Sequence, residues 1–541
     1  MTRPGFRAAA ALLLAAMGAA QLTSALQETQ TWDEAIHQTA GLVYLKTGHL
    51  YFFTDHPPLR TLFAVPLLFL HPRLPLDGPE WKAQNAIDLA TQVFYNSPHH
   101  PDTLLIAGRS VAIALTLAFG VVLAWWTRRR FGSRVALIAL ALYCFEPNLI
   151  AHGHYATTDI LLAVTFFLAS IAWCEFLCAE PSSQPRRLLL AGAALGLALT
   201  AKYSAIALLP IFGLLGLAAV HQRRIGIRNL ALSLAAAGAI ALAVVAVVYF
   251  PETFRWLTLR QPAHPFVTGL AQLLHKSQSA GHKSYLLGQY SQTGWWYYFP
   301  VVFAVKTPLG LLALLAIGLA GLAWRPPKEW GGRSPFVVRP TPRPCEIPMP
   351  WLAMAVPAAV FFALSMMNAV NIGLRHILPV YPMLCVLAPA LVLRLPRGTA
   401  IATVCAGVLV IESVAISPNY LAFFNAAAGG PKAGPRYLLD SNIDWGQDVK
   451  KLRSWLRARH IDSVCMFYFG NTGVEFYGIP MKYLPRTWET AEQENLDCVA
   501  AISVTNLYDL YVPRGSYAWL RQKEPDARIG WSIYVYDLRR R

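Results

Sequence analysis

Just after its first apolar run the chain reads Thr31-Trp32-Asp33-Glu34-Ala35-Ile36-His37, and it continues to Tyr51-Phe52-Phe53-Thr54-Asp55-His56-Pro57-Pro58-Leu59. Carboxylates and histidines gathered where a chain leaves a bilayer are costly to hold and mark a functional site by default. Asp33 and Glu34 are the candidates for acid–base work. Asp55, His56, Arg109, Asp159, Lys202, Arg375 and His376, with His154, are the polar groups that other connections can bring beside them. Carboxylates mixed with cations at a membrane surface suit one reaction type. The cations hold a lipid phosphate, and a carboxylate removes a proton from an incoming hydroxyl. Arg and Lys neutralise a departing phosphate, Arg in bidentate fashion.

The elements that must position these groups are membrane spans. Of 541 residues, 55% are hydrophobic and 14% charged, about half the usual charged share of a soluble domain. Mean hydropathy is +0.40. Runs of roughly 20 apolar residues recur through the first three quarters of the chain. The net charge of +17 sits in short Arg-rich connections, the positive-inside pattern, and does not indicate nucleic acid. Threading these connections predicts about eleven spans with the amino end cytoplasmic. The first run, Ala8 to about Leu26, reads as an uncleaved anchor, with a cleaved signal peptide as the alternative because of Thr23-Ser24-Ala25. External loops are expected over 27–102 and 251–295, with Leu59–Leu70 an interfacial helix. Lys202 should hinge two short spans at the outer surface. The Pro- and Arg-rich stretch Arg325–Arg343 should be cytoplasmic.

From Ser417 the composition becomes mixed and polar. Ser463–Tyr468 alternates as a strand, and Gln447–Arg459 has helical spacing with Val449, Leu452, Trp455 and Leu456 on one face. The expected organisation is a membrane domain over 1–416 and a small extracytoplasmic α/β domain over 417–541. Of eight cysteines, Cys465 and Cys498 alone fall in this tail. A disulfide between them requires an oxidising compartment.

Structural roles stand beside the functional ones. Thr31 can N-cap a helix that starts at Asp33 or Glu34, and Pro57-Pro58 can stiffen a helix start. Arg109 can snorkel to headgroups, Asp159 can cap the fourth span, and Arg375-His376 can anchor at the interface. Trp295-Trp296-Tyr297-Tyr298 fits an aromatic belt. Lys202 interrupts a long apolar stretch, which a purely structural lysine seldom does.

The ordered set Asp33-Glu34, Asp55-His56-Pro57-Pro58-Leu59, Gly108-Arg109-Ser110, Thr158-Asp159, Thr200-Ala201-Lys202-Tyr203 and Arg375-His376-Ile377-Leu378-Pro379-Val380-Tyr381-Pro382 resembles protein O-mannosyltransferases and related bacterial family 39 glycosyltransferases. The resemblance runs from about residue 5 to 395. It implies the GT-C membrane fold, a polyprenyl-phosphate sugar donor and a single inverting displacement at the plasma (inner) membrane's outer face. It makes Asp33 the base, with Glu34 organising the loop or acceptor. Asp55 and His56 line the donor pocket, and Arg109, Lys202 and Arg375 contact phosphate. The related aminoarabinose transferases carry Lys where this chain has His56, which favours the mannosyltransferase-like branch. The tail adds Leu439–Asp448 and Tyr468-Phe469-Gly470-Asn471, whose Asp, Asn, Trp and Gln suit carbohydrate or acceptor contact. A tightly bonded turn capped by Asp444 reads equally well.

The acceptor, whether protein hydroxyl, glycolipid or polysaccharide, is open. Asp33, Glu34, Asp55 and the nearby histidines are suitable ligands for a divalent metal, although inverting transfer from a lipid phosphate does not require one. No cofactor is expected. The competing reading is a transporter or flippase of lipid-linked sugars. Such proteins place ionisable groups near the midplane and often show inverted repeats, and none is visible here. A silent membrane scaffold would have no use for acid and base in one loop.

Overall fold

The computed structural model describes residues 3–50, 54, 56–278, 282–324, 347–479, 481–483 and 497–539. Asp55 and the Arg325–Arg343 connection lie outside the described residues. The chain is a multi-pass helical membrane protein with a mixed β-sheet near its carboxyl end.

All eleven expected segments are helical, but they are unequal. Six helices among the described residues are long and apolar enough to cross a membrane, and two further spans are bent pairs. Gln184–Ala201, with two arginines in its first turn, Met349–Ser365 and Val380–Val392 fall outside that set. The predicted count of eleven therefore holds for helices and not for full-length spans.

The interruptions have local causes. Pro147 ends the hydrogen-bond ladder of Ser133–Phe145, and Glu146 caps the following turn by accepting from Leu149 N at 2.7 Å, giving a 62° bend. Pro308 follows Tyr298–Lys306 and the pair bends by 111°. At Lys202 the backbone turns extended between Gln184–Ala201 and the short helix Tyr203–Ala207, as the hinge reading anticipated. The helix Pro101–Phe131 starts on Pro101 and ends with Arg128, Arg129 and Arg130 in its last turn, where cations favour the helix dipole.

After Ile416 the chain does not leave the helical half at once. Lys306 donates to the carbonyls of Leu421 and Asn442, and Asn425 donates to those of Ala304 and Thr307. Only then does the sheet form. Its strands are β3 Val464–Phe467, β4 Met481–Tyr483, β5 Val499–Ser503, β6 Ala527–Ile529 and β7 Ile533–Asp537, after a hairpin β1 Ser284–Leu286 and β2 Gln289–Ser291. The order is β4-β3-β5-β7-β6, parallel among β4, β3 and β5 and antiparallel at β5–β7 and β7–β6. The helix Val449–Arg457 lays Val449, Leu452 and Leu456 on Val464, Met466, Ala501 and Val535. Cys465 and Cys498 form a disulfide between β3 and the lead-in to β5.

One strap joins the two parts. Thr29 N and Trp32 N donate to the carbonyls of Gln447 and Trp445 at 2.8 and 2.9 Å. Asn471 Nδ2 donates to Trp32 O at 2.8 Å. The first loop and the tail are thus one folded unit.

Mass labelling of thiols in unreduced membranes should find Cys465 and Cys498 protected, and both reactive after reduction and unfolding. Cys465→Ser should weaken the sheet region by about 2–4 kcal/mol, the usual worth of a disulfide, read as faster proteolysis of the tail. Both thiols labelled without reductant would contradict the pairing.

Candidate active site

The site is built on a buried ion pair. Arg109 donates from Nε to Glu34 Oε1 at 2.8 Å and from Nη2 to Glu34 Oε2 at 2.7 Å, and both side chains are fully buried. Its other donors reach the carbonyls of Ala25, Glu28 and Thr29, closing the carboxyl end of the first helix, Arg3–Gln27. Glu34 also accepts from Thr31 N, Thr31 Oγ1 and Ala156 N at 2.9, 3.1 and 3.1 Å. Burial alone would raise its pKa, but Arg109 and these N–H groups hold it below the ordinary carboxylate value. Gly108 lets the Gln38 side chain close in beside this pair, since a Cβ there would meet the terminal amide of Gln38 and force it to move. Glu34 and Arg109 therefore fix the loop, and neither faces open space. The N-cap of the helix Glu34–Thr47 is Asp33, whose side chain makes no capping bond, so Thr31 serves Glu34 and not the cap.

Freed from capping, Asp33 turns to a line of alternating charges. Arg375 Nη1 donates to Asp33 Oδ2 at 2.7 Å and lies 3.7 Å from Asp159 Oδ2, while Lys202 Nζ donates to Asp159 Oδ1 at 2.6 Å. Four residues from four connections meet here. Asp159 lies in the first turn of Thr158–Leu177, behind Thr157 at the N-cap, so it is a partner for Lys202 and not a cap. Arg375 sits 4.3 Å above the Trp445 ring. Its loop is pinned by the tail: Asn442 Oδ1 accepts from Leu374 N at 3.0 Å and Ser441 Oγ donates to Ile372 O at 2.8 Å. Arg375 Nε and His376 Nε2 are buried and have no hydrogen-bond partner among the described residues. Burial, then Lys202 and Arg375, push the His376 pKa well below its ordinary value, leaving a neutral ring.

His56 and His37 stand beside this line. His56 Nδ1 lies 3.3 Å from Thr158 Oγ1, and its ring meets His37 edge-on at 4.8 Å. Arg60 Nη1 lies 3.4 Å from His37 Nδ1. Burial, then Arg60, lower the His37 pKa to about 3. His154 instead binds Glu28: its Nε2 is 3.0 Å from Glu28 Oε2, which also accepts from Tyr155 at 2.9 Å. Burial opposes ionisation of Glu28, yet His154 and Lys451 bring its pKa down to about 2.

Asp33 and Arg375 line a cavity of about 470 Å³ together with Trp32 and the tail residues Asp440, Trp445, Phe469, Asn506 and Tyr511. Tyr511 donates its hydroxyl to Asp440. Sequence reasoning marked the 439–448 and 468–471 segments but missed Asn506, Tyr511, Arg60 and His282, which stand in no distinctive pattern. Asp444 is no helix cap. Its carboxylate accepts from Thr505 N at 3.0 Å, and Asp448 holds the N-cap position. Of the aromatic run, Trp296 is exposed, as a belt residue would be, whereas Tyr298 is buried against Asn442. Among the described residues no three His, Cys, Asp or Glu side chains gather as a metal site.

Residues 102–250, which carry Arg109, Asp159 and Lys202, match one family model. Its description is dolichyl-phosphate-mannose-protein mannosyltransferase. No curated protein matches the chain. Among solved structures it is similar to ArnT from Cupriavidus metallidurans bound to undecaprenyl phosphate, at 15% identity and TM-score 0.47 over 99% of this chain and 98% of that one. The same protein in the apo state gives 16% and 0.46, with 97% of each chain covered. The Archaeoglobus fulgidus oligosaccharyltransferase in complex with Zn and sulfate gives 12% and 0.42 over 97% of this chain and 73% of that one.

Arg109→Ala should lower stability by about 3–5 kcal/mol, because it strands a buried carboxylate, seen as loss of folded protein on detergent size-exclusion. Acid should also act through the site. Both His37 and Glu28 have folded pKa values below their ordinary ones, so the unfolded chain binds more protons and stability is lost as the pH falls. The windows run from 6.5 down to about 3 for His37 and from 4.5 down to about 2 for Glu28. Thermal melts taken from pH 7 to 4 should show a falling midpoint, and His37→Gln should make the decline above pH 4.5 shallower, with the buried His56 and His376 among the groups carrying the remainder. An unchanged profile in that variant would remove His37 as a contributor.

Proposed function

We propose that this chain is an inverting membrane glycosyltransferase that moves a sugar from a polyprenyl-phosphate donor to a hydroxyl acceptor. The observation that carries the reading is the line Asp33–Arg375–Asp159–Lys202 opening on a cavity. Asp33 takes the acceptor proton. The acceptor oxygen bonds to the anomeric carbon as the carbon–oxygen bond to phosphate breaks, and the polyprenyl phosphate leaves with that electron pair. Arg375 and Lys202 neutralise its charge, and the partnerless Nε of Arg375 and Nε2 of His376 suit phosphate oxygens. Asp159 keeps Lys202 in place. Glu34 and Arg109 position Asp33 and do not touch substrate. His56 lies at the donor end beside Thr158, and Asp55 belongs to the same loop.

The match over 102–250 favours a mannose-like sugar and fits a lipid-phosphate donor. The cations supply the charge stabilisation in this scheme, so it assigns no metal. The Arg-rich connections favour a plasma-membrane protein with the site and tail outside, and the Cys465–Cys498 disulfide suits that oxidising side. The division into a membrane domain over 1–416 and a tail domain over 417–541 remains part of the proposal.

Purified protein in detergent should transfer label from radiolabelled polyprenyl-phosphate mannose to cell-envelope acceptors. Asp33→Asn should reduce transfer by about 100-fold or more, the worth of a positioned base, while leaving the protein folded. Equal transfer by parent and variant would remove Asp33 from the mechanism.

A further inference from the structure

The tail's role follows from two kinds of side chain in the cavity. Asp33 and Arg375 bring charges. Beside them stand rings: Trp32 stacks on Phe469 with centroids 5.2 Å apart at 21°, and Phe469 stacks on Tyr511 at 5.2 Å and 12°. All three are partly exposed and line the cavity. The stack spans both parts of the chain and is fixed from behind. The Trp32 backbone is tied to Trp445 and Asn471, and the Tyr511 hydroxyl is tied to Asp440.

We infer that this stack seats the acceptor and that the acceptor is a saccharide, an assignment that rests on the transferase reading above. Inverting displacement requires the incoming hydroxyl and the leaving phosphate on opposite faces of the anomeric carbon. With phosphate assigned to Lys202 and Arg375, the acceptor is assigned to the Trp32–Phe469–Tyr511 stack next to Asp33. Phe469 is sandwiched between Trp32 and Tyr511, so a pyranose lays its apolar C–H face on the outer ring face of Trp32 or Tyr511 and turns its rim of hydroxyls to polar groups, here Asp440, Asn506 and His282. The volume of about 470 Å³ lies within the range of sites that enclose small ligands, roughly 300–1,000 Å³. Trp32 immediately precedes Asp33, so a sugar on the stack carries its rim hydroxyl to the base. That hydroxyl gives its proton to Asp33 and its oxygen to the anomeric carbon, as the bond to phosphate breaks.

The test separates acceptor from donor. Saturation-transfer NMR on the detergent-solubilised full chain, with a panel of manno-, gluco- and galacto-configured disaccharides, should give a signal. Phe469→Ala and Tyr511→Ala should each lower it at least ten-fold, while Tyr511→Phe, which keeps the ring and loses the hydroxyl, should retain most of it. Binding of polyprenyl phosphate should stay within two-fold in all three variants, which also verifies their fold. Two results would overturn the assignment: no disaccharide signal from the parent protein, or a signal equal in parent and alanine variants. If disaccharides bind through the stack but polyprenyl phosphate does not bind, the saccharide site stands and the donor reading fails.

Discussion

The buried pair of Arg109 and Glu34 is the constraint on which the site depends. Two charges without solvent contact survive only when their hydrogen-bonding capacity is met, and here the neighbours that meet it come from the first helix, the strap after it and the turn at Ala156. Arg109 takes the last carbonyls of the first helix and the strap after it. Glu34 takes the backbone at Thr31 and at Ala156. The pair thus places the first loop against the span that carries Asp159. Asp33, one residue before Glu34, has no alternative but to face the remaining cations.

A second layer comes from the tail. The Asp440–Asn442 turn holds the Ile372–Leu374 backbone, and Trp445 lies under the Arg375 guanidinium. The cavity is therefore lined by Asp33 and Arg375 from the helical half and by rings from the first loop and the tail. The interrupted helices serve the same end. The break at Lys202 presents its ammonium to Asp159, and the Glu146–Pro147 bend turns the His152–Ala156 stretch toward Glu34.

Sequence patterns made much of this readable. Apolar runs and arginine clusters located the eleven apolar segments and gathered Asp33, Asp159, Lys202 and Arg375 on one side, because hydropathy and charge are the terms that dominate insertion. The loop helices Glu34–Thr47, Ala86–Tyr95, Phe250–Thr258 and Pro265–Gln278 were not legible from them. The Val449–Arg457 helix and the β3 strand were legible from their periods. What stayed hidden was partnership. Glu34 beside Asp33 looks like a second catalytic acid, and Arg109 looks like a phosphate ligand, until both are seen to be buried against each other. Tyr511 and Asn506 lie more than 470 residues from Asp33 in the chain, in segments of ordinary composition, and only tertiary folding brings them to the cavity. Span length was also hard to read, since proline breaks let short helices do the work of long ones.

The strap at Glu28–Trp32 has a consequence for how the molecule comes into being. Thr29 and Gln30 are made and threaded early, yet their partners Gly446 and Asn471 follow 417 and 441 residues later. Closing so wide a loop costs little more than closing a shorter one, about 0.6 kcal/mol for each doubling. The delay is one of order and not of energy. The pocket is completed from both ends of the polypeptide, and ribosome and insertion machinery must deliver nearly the whole chain before its first loop can settle.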